Sequence, residues 1–243
     1  MKHVVVFVPA YNEEENIVEM MQSIPKQIPG VRVTVIVIDD GSSDRTVELA
    51  REAGADHTYS LGENRGLGAA VREGLRRSCE LSCDVSVMID ADLEYPARQI
   101  PELIEPILND EVDYVMGSRF LGTITGMKLH RRLGNYLFTF IQSLLLKRWI
   151  YDGQSGMRAF SREAAEKATI IHDYNYAQVL TLNLIRKNFR MKEIPIQYKV
   201  REKGQSFIKF KAYLSSVIPA IVREMRSNPS PKRGEAVESR RTS

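Results

Sequence analysis

The sequence has little with which to staple, chelate or span. Its only cysteines in 243 residues, Cys79 and Cys83, are spaced C-x3-C with no histidine nearby. That argues against a zinc site and a disulfide framework, and fits a reducing, cytoplasmic compartment. No apolar run reaches the roughly 20 residues of a membrane span, and the apolar start, Val4 to Val8, is too short for a signal peptide. Net charge is only +3 with 27% charged residues, too slight a basic excess to point to nucleic acid. Anionic small molecules and lipid headgroups stay open. The G-x-G-x-x-G turn of a dinucleotide fold is missing after the first strand, where Pro9-Ala10-Tyr11-Asn12-Glu13-Glu14 stands instead. An acidic loop there repels a pyrophosphate, so NAD and FAD are set aside.

What is present is alternation. Val4 to Val8 and Val33 to Ile38 read as buried strands, and Val85 to Ile89 as a third. A short strand around His57 to Leu61 and another at Tyr114 to Met116 follow the same logic. Between them, helices are expected from the Asn12/Glu15 capping pattern to about Ile24, from the 41–44 turn to Gly54, from the 64–70 stretch to about Ser78, and over Ile100 to Leu108. Short connections between alternating strands and helices predict a doubly wound, mostly parallel sheet.

The second half reads differently. Asn135 to Tyr151 is apolar on more than one helical face and has Arg131, Arg132, Lys147 and Arg148 at its ends. It is either a core helix or a helix lying in a lipid interface, with Trp149 and Tyr151 at the boundary. Phe207 to Met225 is amphipathic, basic at both ends and interrupted by Pro219. Ala177 to Lys187 reads as helix and Glu193 to Tyr198 as an edge strand that tolerates Pro195. From Ser227 the composition is that of a disordered tail.

The chemistry gathers where strands end. Asp90 and Asp92 close the third buried run, one residue apart, and two such carboxylates repel unless a cation compensates them. A hard divalent ion bridging to a phosphate-bearing ligand is the natural partner. Asp39-Asp40 closes the second strand and Glu13 follows the first, so acids end three strands in succession. That pattern fits a nucleoside held by base and ribose contacts, with its diphosphate reached through a metal on Asp90 and Asp92.

PAYNEEENI (9–17), DDGSSDRT (39–46), NRGLGAAVREG (64–74), DADLEYP (90–96), GSRF (117–120), DGQSGMRAF (152–160) and EIPIQYKVREKGQSF (193–207) together resemble the ordered motifs of family 2 glycosyltransferases. Within that family the chain is most similar to dolichyl- or polyprenyl-phosphate sugar synthases. The resemblance implies a GT-A fold over residues 1–205, a Rossmann-like sheet with helices on both faces and an acceptor-side helical region at about 120–160. It implies amphipathic membrane-surface helices at 206–226, before the tail of 227–243. It further implies transfer, with inversion, from a UDP- or GDP-sugar to a polyprenyl phosphate at the inner face of a membrane. Pro9, Tyr11, Glu13 and Asp40 match nucleoside-holding positions. Asp90 and Asp92 match the metal-binding D-x-D for Mg2+ or Mn2+, with Glu94 placed to complete the shell. Arg119 and Arg131 or Arg132 match acceptor-phosphate contacts, and Arg201 a donor-phosphate clamp.

Two departures qualify this. Ala177-Gln178-Val179-Leu180 stands where mannosyl-phosphate synthases often carry F-Q-x-E, which leaves the sugar open. No transmembrane helices follow the catalytic region, which implies peripheral attachment. A saccharide or other hydroxyl acceptor is the alternative, with Asp152 as base or, structurally, as partner to Arg158. A catalytically silent module that recruits a membrane enzyme is the reading outside enzymes.

Overall fold

The computed structural model describes residues 1–171, 173, 176–200, 219, 221 and 223–226. Its centre is an eight-stranded sheet built from β1 (Lys2–Ala10), β2 (Gln27–Ile28), β3 (Val31–Asp39), β4 (His57–Ser60), β5 (Val85–Met88), β6 (Tyr114–Thr125), β7 (Arg158–Ser161) and β8 (Met191–Lys199). The order is β2-β3-β1-β5-β7-β6-β8, with β4 also paired to β3. Pairings β1–β3, β1–β5, β3–β4 and β6–β8 are parallel, as the alternation predicts.

Both faces of β1 are buried, which is why it reads as a continuous apolar run. Val4, Val6 and Val8 pack with α1 (Ile17–Ser23) and α4 (Ile100–Leu108) through Met20, Met21, Ile100 and Leu103. Val5 and Phe7 pack on the opposite face with α3 (Leu67–Glu80) and α7 (Tyr176–Arg186) through Val71, Leu75 and Leu180. Each such aliphatic side chain, fully buried, contributes about 1.5–3 kcal/mol. α2 (Thr46–Glu52) joins the first layer and α6 (Arg162–Lys167) the second. Pro9 sits opposite Ile38 of β3, beyond the last β1–β5 pair at Phe7 and Met88. On that side there is no ladder for its missing N–H to break.

Two strands were not foreseen, the two-residue β2, and β7, which lies between β5 and β6, antiparallel to both. Only four residues long, it carries the fully buried Arg158, so no apolar run marks it. Its register sets the site. Met88, Arg158 and Met116 lie in one row, so Asp90 beyond β5, Gly156 before β7 and Arg119 on β6 all come to the same end of the sheet. β8 is the edge strand, its Ile194, Ile196 and Tyr198 buried and Pro195 and Gln197 exposed.

α5 (Leu129–Leu146) covers most of the apolar segment and shows which of its faces turns inward. Its buried positions include Asn135, Thr139, Gln142 and Ser143, whereas Leu129, Leu133, Leu137, Phe140 and Leu144 are 71%, 59%, 59%, 55% and 69% exposed. The helix is inside out for a water-facing protein: polar residues turn inward and a stripe of large apolar ones outward.

Candidate active site

The first wall is two loops bolted side by side. Asn12 N–H donates to Ser42 Oγ (3.0 Å), Ser43 N–H to Asn12 Oδ1 (2.9 Å) and Glu13 N–H to Thr46 Oγ1 (2.8 Å). Glu14 N–H donates to Asp44 Oδ2 at 3.2 Å, and Arg45 N–H donates to Glu14 Oε2 at 3.1 Å. Asn12 is therefore a bridge and not the expected helix cap; its φ is +52°, and α1 starts only at Ile17. Tyr11 is half-buried at the end of β1, and Glu13 Oε2 accepts from Asn16 Nδ2 at 2.7 Å.

Asp40 is buried, and its two oxygens accept Arg65 N–H (2.8 Å) and Gly66 N–H (2.9 Å). Burial pushes its carboxyl up from the usual range, while those two N–H groups pull it back. Asp40 thus pins the 64–66 turn, where Gly66 takes a φ of +94° and ψ of 156° that side chains avoid. Asp39 serves its own turn, accepting from Ser42 N–H and Ser60 Oγ.

Past β5 the chain turns sharply. Asp92 Oδ1 accepts Glu94 N–H at 3.1 Å, and Leu93 between them is held at φ +61°, a strained place for a bulky side chain. Asp90 lies against the bare backbone of Gly156, where a Cβ would collide with its Oδ2 and crowd Tyr95. Two oxygen-rich carboxylates beside a side-chain-free wall fit a hard divalent cation. Glu94, expected to complete that shell, has its Oε2 accepting the Tyr198 hydroxyl at 2.7 Å and standing 3.8 Å from Arg131 Nη2. Among the described residues, no three His, Cys, Asp or Glu side chains converge as a ready metal cluster. A cation on Asp90 and Asp92 needs further oxygens from a ligand, and a diphosphate supplies them.

Arg119 and Asp152 form the buried centre of the second wall. Arg119 Nε and Nη2 donate to the two Asp152 oxygens at 2.7 and 2.8 Å, and Arg119 N–H adds a third bond at 3.0 Å. The carboxylate holds the Arg119 guanidinium charged against its burial. Arg119, expected as an acceptor-phosphate contact, therefore has its charge paired out of solvent by Asp152. Asp152 is neither a base nor the partner of Arg158; at 0% exposure it is out of reach of a hydroxyl acceptor. Arg158 instead donates to neutral oxygens of Ser155, Tyr114, Ala177 and Thr181.

The polar inner face of α5 builds this wall. Ser143 Oγ accepts Ile150 N–H, and Thr139 Oγ1 accepts Gly153 N–H. Gln142 Nε2 donates to the Gln178 carbonyl. Together these fix the loop that carries Asp152. Glu193 closes it by accepting Tyr151 and Asp152 N–H, its carboxyl pushed up chiefly by burial.

At the start of α5 the two candidate arginines part. Arg131 turns to Glu94, whereas Arg132 is exposed, its guanidinium 5.8 Å from the Tyr136 ring. Arg201 lies outside the described residues, as do most of 206–226 and all of 227–243. At the end of that segment Glu224 is buried, accepting from Asn183 Nδ2 at 3.0 Å and Arg186 Nη1 at 3.3 Å. Glu224 thus ties this end of the segment to α7. Leu180, where a carboxylate was missed, is in the core.

Tyr198, Gly156 and Glu193 escaped the sequence reading. Period-two alternation over Ile194, Ile196 and Tyr198 marks the tyrosine as inward-facing. Nothing local marks the other two.

The sheet order, the acids ending β1, β3 and β5, and the D-x-D turn define the class: a GT-A, nucleotide-sugar-dependent glycosyltransferase. Residues 5–169, more than half the chain, match the model described as Glycosyl transferase family 2, and the chain belongs to that family. It is 32% identical over 181 residues (67% of this chain, 71% of the other) to "UDP-N-acetylglucosamine--dolichyl-phosphate N-acetylglucosaminyltransferase" of Methanococcus voltae. It is 31% identical over 212 residues (83% and 79%) to "Polyprenol monophosphomannose synthase" of Mycolicibacterium smegmatis. In fold it resembles glucosyl-3-phosphoglycerate synthase from Mycobacterium tuberculosis, at a TM-score of 0.73 and 22% identity, covering 92% of this chain and 80% of the other.

Proposed function

We propose that the protein transfers a sugar, with inversion, from a UDP- or GDP-sugar to the phosphate of a polyprenyl lipid, working as a peripheral enzyme on a membrane surface. The observation that carries this is α5, whose apolar stripe faces outward while Arg131, at its start, faces the D-x-D turn. No helix among the described residues is long and apolar enough to cross a membrane. The exposed stripe is edged by the exposed Lys128, Arg132, Lys147 and Arg148, which suits an anionic lipid surface. Names of relatives that act on dolichyl phosphate or make a phosphomannosyl polyprenol support the acceptor.

The chemistry follows from charge. A phosphate monoester is mostly ionised near neutral pH, its second pKa being about 6, so the acceptor oxygen needs no base. It attacks the anomeric carbon as the bond to the leaving diphosphate breaks. A bound Mg2+ or Mn2+ supplies charge neutralisation for that leaving group. Asp90 and Asp92 are the residues to hold it, with Gly156 leaving the room. Pro9, Tyr11, Glu13 and Asp40 belong to the loops proposed to seat the nucleoside. Arg131 takes the acceptor phosphate; the Arg119–Asp152 pair fixes the wall behind it, and Arg201 is proposed to grip the donor phosphates.

The test is incubation of purified protein with Mg2+ or Mn2+, a panel of nucleotide sugars and polyprenyl phosphate. A lipid-extractable glycoside, absent with Asp92→Ala of unchanged fold, supports the reading. Glycosylation of a soluble hydroxyl acceptor alone rejects it.

A further inference from the structure

Glu94 holds a position that neither the D-x-D pair nor the acceptor arginine explains alone. Its backbone N–H is held by Asp92 Oδ1, and its carbonyl accepts Lys199 N–H at 3.1 Å. Its carboxylate leaves the D-x-D turn, takes the Tyr198 hydroxyl and stands 3.8 Å from Arg131 Nη2. Two ends of one residue thus touch the two halves of the site.

A carboxylate beside an arginine offers the same oxygens and charge that an acceptor phosphate would bring. The pair is loose: 3.8 Å is beyond hydrogen-bond length, and the Arg131 side chain is 35% exposed. Arg131 is the exposed side of the pair and can leave it, while Glu94, 5% exposed, keeps the Tyr198 hydroxyl as a partner when it does. A cation held by Asp92 draws on the same Oδ1 that pins the 92–94 turn, and Leu93 stores strain in that turn.

We infer that Glu94 is a built-in stand-in for the acceptor phosphate on Arg131, withdrawn when donor diphosphate and metal load the Asp90–Asp92 pair, so that donor loading opens the acceptor subsite. The inference rests on the reading of Arg131 given above. Linkage makes it reciprocal: whatever factor the donor side adds to acceptor binding, the acceptor adds to donor binding.

Calorimetric titration of the full chain with a short-chain, water-soluble prenyl monophosphate tests this, with and without Mn2+ plus UDP, and in parallel Mn2+ plus GDP. Wild-type protein is expected to bind the prenyl phosphate about fivefold or more tightly when one of those pairs is present, within the usual span of coupling. Glu94→Gln is expected to bind it tightly without them and to gain little from them. Glu94→Asp, which keeps the charge but retracts it by one methylene, is expected to move the same way and serves if the glutamine variant folds poorly. Wild-type coupling in the Glu94 variants, with binding still abolished by Arg131→Gln, overturns the inference and leaves the acceptor reading intact. Unchanged prenyl phosphate binding in Arg131→Gln overturns both.

Discussion

Arg119 and Asp152 meet in a two-point ion pair with 3% and 0% of their side chains exposed, 33 residues apart in sequence. The guanidinium also lies 5.3 Å from the Tyr198 ring, whose hydroxyl reaches Glu94. One chain of contacts therefore runs from the buried pair to the metal-side turn and on to Arg131.

Removing either partner strands a charge in the core. Asp152→Leu and Arg119→Met, each alone, are expected to lower unfolding free energy by about 3–5 kcal/mol in urea titrations. The double substitution should cost clearly less than the sum. Additive losses would show that the pair is not coupled.

The outer face of α5 should serve the membrane and not the fold. Leu133→Glu with Leu137→Glu is expected to abolish sedimentation with anionic vesicles, while thermal stability changes by no more than about 0.5 kcal/mol per site. A large loss of stability would mean that another part of the protein covers this face.

Gly156 leaves room where Asp90 stands. Gly156→Ala forces its methyl into the Asp90 carboxylate and Tyr95. Mn2+-dependent binding of the nucleoside diphosphate is expected to fall by about tenfold or more, which is about 1.4 kcal/mol. Binding at wild-type strength would remove Asp90 from the metal site.

Glu193 gives a pH signature. Burial raises its carboxyl above the ordinary 4.5, so the folded protein keeps that proton to higher pH than the unfolded chain. The stability this provides is complete below 4.5 and is lost as pH rises through the raised value. Thermal melts across that window should show a downward slope with pH that Glu193→Gln flattens. An equal slope in the variant would assign the effect elsewhere.

The parallel half of the sheet was legible because its strands are buried on both faces and its acids stand at their ends. Asp90 and Asp92 could be read as a pair for the same reason. The antiparallel insertion of β7 was not legible: four residues around a buried arginine carry no apolar period, and only long-range pairing with β5 and β6 makes them a strand. The partner of Asp152 was missed likewise, since Arg158 is near in sequence and Arg119 is near only in space. α5 showed its composition but not its orientation, because which stripe faces inward depends on the 150–153 loop that Thr139 and Ser143 hold.

The most direct test of the account compares two acceptors that differ in one group: a prenyl phosphate and the free prenol of the same chain, offered with the same nucleotide sugar and divalent ion. The account predicts glycosylation of the phosphate and none of the alcohol, since the phosphate oxygen arrives ionised whereas a hydroxyl would have to be deprotonated by a base. Transfer to the alcohol at a comparable rate would contradict it.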